Sequence, residues 1–102
     1  MKYIYLIQSL ENSYYKIGVS KDPKKRIKQL QTGNSSELKL VESYPSDFAN
    51  QIEKTLHRRY SHLQREGEWF DMGISNEVSF VQECQKIEET LIFLKKNSTV
   101  FI

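Results

Sequence analysis

The densest run of cations is Lys21-Asp22-Pro23-Lys24-Lys25-Arg26-Ile27-Lys28, with five cationic residues in eight. Asp22-Pro23 is a helix-start signal, with Asp as cap and Pro at the first helical position. The backbone N–H groups left free at a helix start favour a phosphate. Arg26 falls in the first turn, and its planar fork of donors can clamp a phosphate with two parallel bonds. Lys21, Lys24, Lys25 and Lys28, with Arg58 further along the chain, are candidate nucleic-acid contacts; each lysine alone reads equally as solvated helix surface.

Phosphodiester hydrolysis needs a base that takes a proton from water. It also needs a metal that polarises the phosphate oxygens, and a cation that stabilises the charge of the transition state. Glu53 is the candidate metal anchor. It lies beside the apolar stripe of a helix, and either pairs at the surface with His57 or Arg58 or points into a cleft. His57, four residues on, shares its face, and a Glu/His pair at that spacing can hold a metal or orient water. No HExxH motif or cysteine cluster argues for zinc. Among the tyrosines Tyr3, Tyr5, Tyr14 and Tyr15, half are expected in the core. A tyrosine serves as base only if cations lower its pKa from about 10, and Lys16 and Arg26 are placed to do so. Trp69-Phe70 reads as a core plug more readily than as a base-stacking platform. Cys84 lies on an apolar stripe and reads as core, and neither a Gly-rich phosphate loop nor a Gly-x-Ser-x-Gly turn is present.

The elements that must position these groups follow from pattern. Residues 3–8 read as a buried strand, Glu11-Asn12-Ser13 as a turn, and 14–19 as the partner strand of a hairpin. Gly18 inside that strand signals close approach or a bulge. A helix should run from Asp22-Pro23 to about Thr32 and stop at Gly33-Asn34, with Ile27 and Leu30 as its contacts. Residues 37–44 read as a third strand, with Leu38, Leu40 and Glu42 alternating against Lys39 and Val41. Ser46 is expected to cap a second helix over 47–64 that ends at Gly67, with Phe48, Ile52, Leu56, Tyr60 and Leu63 on one face. The pair Trp69-Phe70 is expected in a short connection. A third helix over 75–97 carries the stripe Val78, Val81, Cys84, Ile87, Leu91 and Leu94, and Thr99–Ile102 reads as a short strand or frayed end. The order is β-β-α-β-α-α, an α+β domain with a mostly antiparallel sheet.

The 102 residues are 38% hydrophobic and 27% charged, enough for one domain with a modest core. No apolar run reaches the roughly 18 residues of a membrane helix, and no secretory signal is seen. One cysteine excludes an internal disulfide and points to a reducing compartment, hence a cytoplasmic location in a bacterial or phage-infected cell. The net charge of +2 hides an asymmetry: residues 1–65 hold 12 Lys and Arg against 6 Asp and Glu, whereas residues 66–102 hold 3 against 7. A basic first part suggests an anionic partner met by that part alone.

The order Tyr3-Ile4-Tyr5, Tyr15-Lys16-Ile17-Gly18, Arg26, Gly33-Asn34, Ala49–Glu53–His57 and Gly67-Glu68-Trp69-Phe70 resembles the GIY-YIG nuclease superfamily. The likeness is to its short phage and bacterial branch, and it covers residues 3–70. The resemblance implies a small three-stranded antiparallel sheet flanked by helices, and hydrolysis of DNA with one divalent metal, Mg2+ or Mn2+. It implies Tyr5 as general base or water-orienting group, Gly18 as the motif glycine, Arg26 as the phosphate-stabilising arginine and Glu53 as the metal ligand. The chain departs from the pattern at Tyr3, where the motif has glycine, and at Lys16, where it has tyrosine. The frequent late asparagine has no clear counterpart; Glu68 lies near that region. The expectation is a stand-alone DNA endonuclease with Tyr5, Lys16, Arg26, Glu53 and His57 at its centre, without membrane contact and with a homodimer as an option. Two rivals are a catalytically weak nucleic-acid-binding module on the same scaffold and an interaction protein docking through the third helix. That helix is expected to pack on the sheet.

Overall fold

A computed structural model of the chain describes residues 1–97. Strands β1 (Lys2–Ser9), β2 (Tyr15–Ser20) and β3 (Leu38–Ser46) are joined by a fourth, β4 (Trp69–Phe70). The sheet order is β3-β1-β2-β4, antiparallel throughout. The helices are α1 (Pro23–Thr32), α2 (Ala49–Arg59) and α3 (Ile74–Lys96), with a 3-10 turn at Ser61–Leu63. The α+β class and the flanked antiparallel sheet are as expected. The strand count is four rather than three, because Trp69-Phe70 is a strand and not a connection: Phe70 pairs with Tyr15, and Trp69 with Lys16.

Period-two alternation along β1 divides the core into two layers. Ile4 and Leu6 face α2 and α3 in the larger cluster, with Tyr15, Ile17, Ile52, Leu56, Phe70, Phe80 and Cys84. Tyr5 and Ile7 face the other way, onto Leu38, Leu40, Trp69 and the α1 residues Ile27 and Leu30. Helix α1 forms as its signals dictate. Pro23 is at its first turn, the Asp22 carboxylate accepts the Lys25 N–H at 3.2 Å, and Gly33 closes it.

Other expectations are corrected. Glu42 is exposed and does not continue an inward alternation, since the register on β1 slips between Leu6 and Ile7 and leaves Val41 as the extra residue of a bulge. Val41 instead packs against the larger cluster. Helix α2 is shorter than 47–64, and Ser46 does not cap it. Ser46 ends β3, its hydroxyl accepts the Phe48 N–H at 3.0 Å, and it donates to Glu88 on α3 at 2.5 Å. Beyond Arg59 the chain tightens into the 3-10 turn, and Gly67 sits at φ +61 in the turn before β4 rather than at a helix end.

The buried stripe of α3 is Phe80, Cys84 and Ile87, flanked by Val81 and Leu91, while Val78 is 80% exposed. Burial follows the four-three-four spacing that starts at Phe80 and shifts the stripe around the helix from Val78. The helix packs on the sheet, as expected. Tyr15 Oη donates to Glu77 at 2.6 Å and Tyr44 Oη to Glu88 at 2.6 Å, tying α3 to two strands. No helix among the described residues is long and apolar enough to cross a membrane. The segment Thr99–Ile102 lies outside the described residues.

Candidate active-site cleft

The site forms because β4 is short. It covers the outer edge of β2 only at Tyr15 and Lys16, so the edge at Ile17–Val19 has no strand beside it. There α2 supplies the neighbours. Its buried residues Ile52 and Leu56 fix the helix under the sheet, and the next residue in each case, Glu53 or His57, reaches the open edge. His57 Nε2 donates to the Ile17 carbonyl at 2.8 Å, capping a backbone acceptor that a longer β4 would have taken. Its ring lies 5.3 Å from that of Phe70, tilted by 50°.

A cleft of about 430 Å3 results, lined by Tyr5, Lys16, Ile17, Gly18, Val19, Arg26, Glu53, His57 and Glu68. All five expected catalytic positions, with Gly18, are brought together. Tyr5 and Gly18 are directly opposed in the β1–β2 register. The tyrosine ring lies flat across the glycine: a Cβ on Gly18 would stand 2.2 Å from the Tyr5 hydroxyl oxygen and 2.4 Å from its ring carbon. Close approach, one of the two reasons expected for this glycine, is therefore the operative one. Tyr5 is 3% exposed, yet no buried side-chain polar atom among the described residues lacks a partner, and its hydroxyl makes no protein hydrogen bond there. The hydroxyl therefore opens onto the cleft.

Arg26 is exposed on the first turn of α1, with Nη1 3.4 Å from the Gln29 side-chain oxygen. That contact is weak, so the guanidinium fork is available to an anion. Glu53 is half-buried and has no ion pair or side-chain hydrogen bond among the described residues. Of its two sequence-level alternatives, the surface pairing with His57 or Arg58 is not formed and the carboxylate faces the cleft. Lys16, whose side chain is 13% exposed, pairs with Glu68 and lies 5.9 Å from the Trp69 ring centre.

Lys21, Lys24, Lys25, Lys28 and Arg58 do not line the cleft. The four lysines are exposed on or beside α1, with Lys21 and Lys25 near Arg26 around the groove at Ser20–Asp22, and Arg58 is exposed in the last turn of α2. Glu68 is the cleft residue that sequence reasoning did not select. Its signals were its place before Trp69-Phe70 and near the late asparagine of the GIY-YIG pattern, and the pairing of Trp69 with Lys16 turns that place into proximity. Its carboxyl is held below the usual value of 4.5 by its hydrogen bond to Lys16 and by that charge, with His57 and Arg26 adding to the effect. Tyr15 points to the opposite layer. Burial and the neighbouring Glu77 push its pKa to about 12, so it stays protonated and structural. Cys84 is fully buried and its thiol is likewise pushed to about 12, as befits core.

No group of three or more His, Cys, Asp or Glu able to hold a metal occurs among the described residues. The donor set therefore does not suit a closed zinc site. A single carboxylate of the Glu53 kind would instead suit a hard, oxygen-preferring divalent ion.

The fold is thus an antiparallel sheet with helices on both faces, bearing a cleft that sets Lys16 and Arg26 beside the Glu53 carboxylate. The chain belongs to the T5orf172 domain family, whose model matches residues 2–91. The match takes in most of α3, further than the stretch 3–70 that carries the GIY-YIG resemblance. This family is linked to endonuclease-like domains, and membership supports a nuclease-like or DNA-binding module. No curated protein and no solved structure matches the chain.

Proposed function

We propose that this chain is a metal-dependent endonuclease of the GIY-YIG type that hydrolyses DNA phosphodiester bonds with water. The observation that carries this reading is the convergence of Tyr5, Lys16, Arg26 and Glu53, from four separate elements, on one cleft. Arg26 binds the phosphate and stabilises the charge that grows on its oxygens during attack. The Tyr5 hydroxyl, fixed over Gly18, orients the attacking water by accepting a hydrogen bond from it, and the proton released in attack ends on the leaving oxygen. Water oxygen bonds to phosphorus, the P–O bond to the leaving oxygen breaks, and the products are a phosphate monoester and a hydroxyl. Lys16 supplies a second cation beside Tyr5. Glu53 would hold Mg2+ or Mn2+, which supplies polarisation of the phosphate and relief of charge on the leaving oxygen. His57 acts through position: with Nε2 committed as donor to Ile17, it holds the β2 edge against α2. Lys21, Lys24, Lys25, Lys28 and Arg58 contact the DNA backbone outside the cleft.

A plasmid-nicking assay with Mg2+ or Mn2+ tests the reading. Wild type is expected to nick or linearise DNA, and Arg26→Ala to lose at least ~100-fold in rate with an unchanged circular dichroism spectrum. Binding without cleavage across metals and substrates would favour the nucleic-acid-binding module. The engagement of Lys16 by Glu68, at the position where the nuclease pattern has tyrosine, is the observation on that rival's side.

A further inference from the structure

Resting on the endonuclease reading, we propose that Glu68 is an anionic gate on the cleft: its carboxylate holds Lys16, and a DNA phosphate gains that lysine only by displacing it. The two partners are unequal. The Lys16 side chain is 13% exposed and Glu68 is 69% exposed. Lys16 is confined by its strand and by the Trp69 ring at 5.9 Å. Glu68 follows Gly67, which sits at φ +61 with no atom beyond its chain neighbours within 4 Å of where a Cβ would stand, so that side of the turn is unpacked.

That asymmetry sets the chemistry. On leaving, Glu68 regains water, whereas a half-enclosed ammonium left alone would not. Only an incoming anion satisfies Lys16, and a phosphodiester offers the same single charge and the same kind of acceptor oxygen as the carboxylate. Arg26 and His57 add to the lowering of the Glu68 carboxyl, so it sits within reach of the other cleft residues as well as of Lys16. Glu53, by contrast, is not tied to any of them by an ion pair among the described residues. The two cleft glutamates thus divide their tasks: Glu53 is open to a metal, and Glu68 competes with substrate.

Fluorescence anisotropy with a labelled DNA duplex, in EDTA and at low salt, separates the outcomes. Glu68→Gln is expected to bind roughly 2- to 5-fold tighter than wild type, the range open to competition from one exposed ion pair. In a Lys16→Gln background the same substitution should lose most of that gain. If wild type binds but Glu68→Gln binds equally or more weakly, the gate is overturned while the endonuclease reading stands. A gain of the same size with and without Lys16 also overturns it, since general charge removal would then account for the effect. If no variant binds duplex or single-stranded DNA even at low salt, the endonuclease reading fails and the gate with it.

Discussion

Gly18 and Tyr5 illustrate how a motif position becomes a geometric requirement. A Gly18→Ala methyl has no room, because the ring it meets is 3% exposed and belongs to the core layer under α1. We predict a loss of about 1–3 kcal/mol in unfolding free energy by urea denaturation, the usual cost of forcing a methyl into a packed site. Cleavage should fall with it, as Tyr5 is pushed from its place. Tyr5→Phe keeps the ring and removes only the hydroxyl, so it should retain stability and lose about 100-fold or more in cleavage rate. A Tyr5→Phe protein that cleaves at the wild-type rate would remove Tyr5 from the mechanism. The glycine was legible as a glycine inside a strand pattern, whereas Tyr5 was set apart from the other hairpin tyrosines only by the GIY-YIG resemblance; their opposition comes from the β1–β2 register. His57 and Glu68 were less so. The partner of His57 is a backbone carbonyl 40 residues away, and Glu68 reads locally as one more surface acid beside a glycine.

At the scale of elements, α3 is the clearest case of sequence pattern giving the helix but not its orientation. Its apolar residues exceed what one face can bury; Phe80 rather than Val78 is buried, and Glu77 and Glu88 meet strand hydroxyls in that orientation. Glu88 accepts from Tyr44 and from Ser46. Glu88→Ala should therefore cost about 1–3 kcal/mol of stability, as expected where bonds to a charged group are lost. Tyr44, like Tyr15, is pushed to about 12, here by the Glu88 hydrogen bond first and burial second. Both hydroxyls hold their protons in the folded chain above the ordinary value of 10.0. The folded form thus binds more protons than the unfolded one between pH 10 and about 12. The associated stability is intact below pH 10 and is lost as pH rises through about 12. A near-ultraviolet tyrosinate titration should show a late step that shrinks in Tyr15→Phe and again in Tyr44→Phe; no change in either variant would contradict the ties. Strand β4 escaped the sequence reading for a different reason. Two residues carry too little alternation to register, and their strand identity comes wholly from pairing with Tyr15 and Lys16.

Across the whole molecule, the charge asymmetry resolves into a division of labour. Six of the twelve cations of the first 65 residues lie on or beside α1 or in the cleft, while acids of α3 are partly spent internally, as Glu77 on Tyr15, Glu83 on Arg59 and Glu88 on Tyr44. Composition revealed the imbalance but not that the acidic helix lies on the sheet face opposite α1, which follows from the order of elements and the two-layer core. DNA affinity should accordingly fall steeply with salt, and replacing Lys24 or Lys25 by Ala should each lower the salt slope by about 1 without favouring any sequence. The most direct test of the central claim is cleavage of a panel of single-stranded, duplex, branched and RNA substrates by wild type and Glu53→Gln, with Mg2+ or Mn2+ and with EDTA. The prediction is metal-dependent cleavage of at least one DNA substrate by wild type, and none by Glu53→Gln at matched binding. Cleavage by Glu53→Gln at the wild-type rate, or none by wild type with either metal, would contradict it.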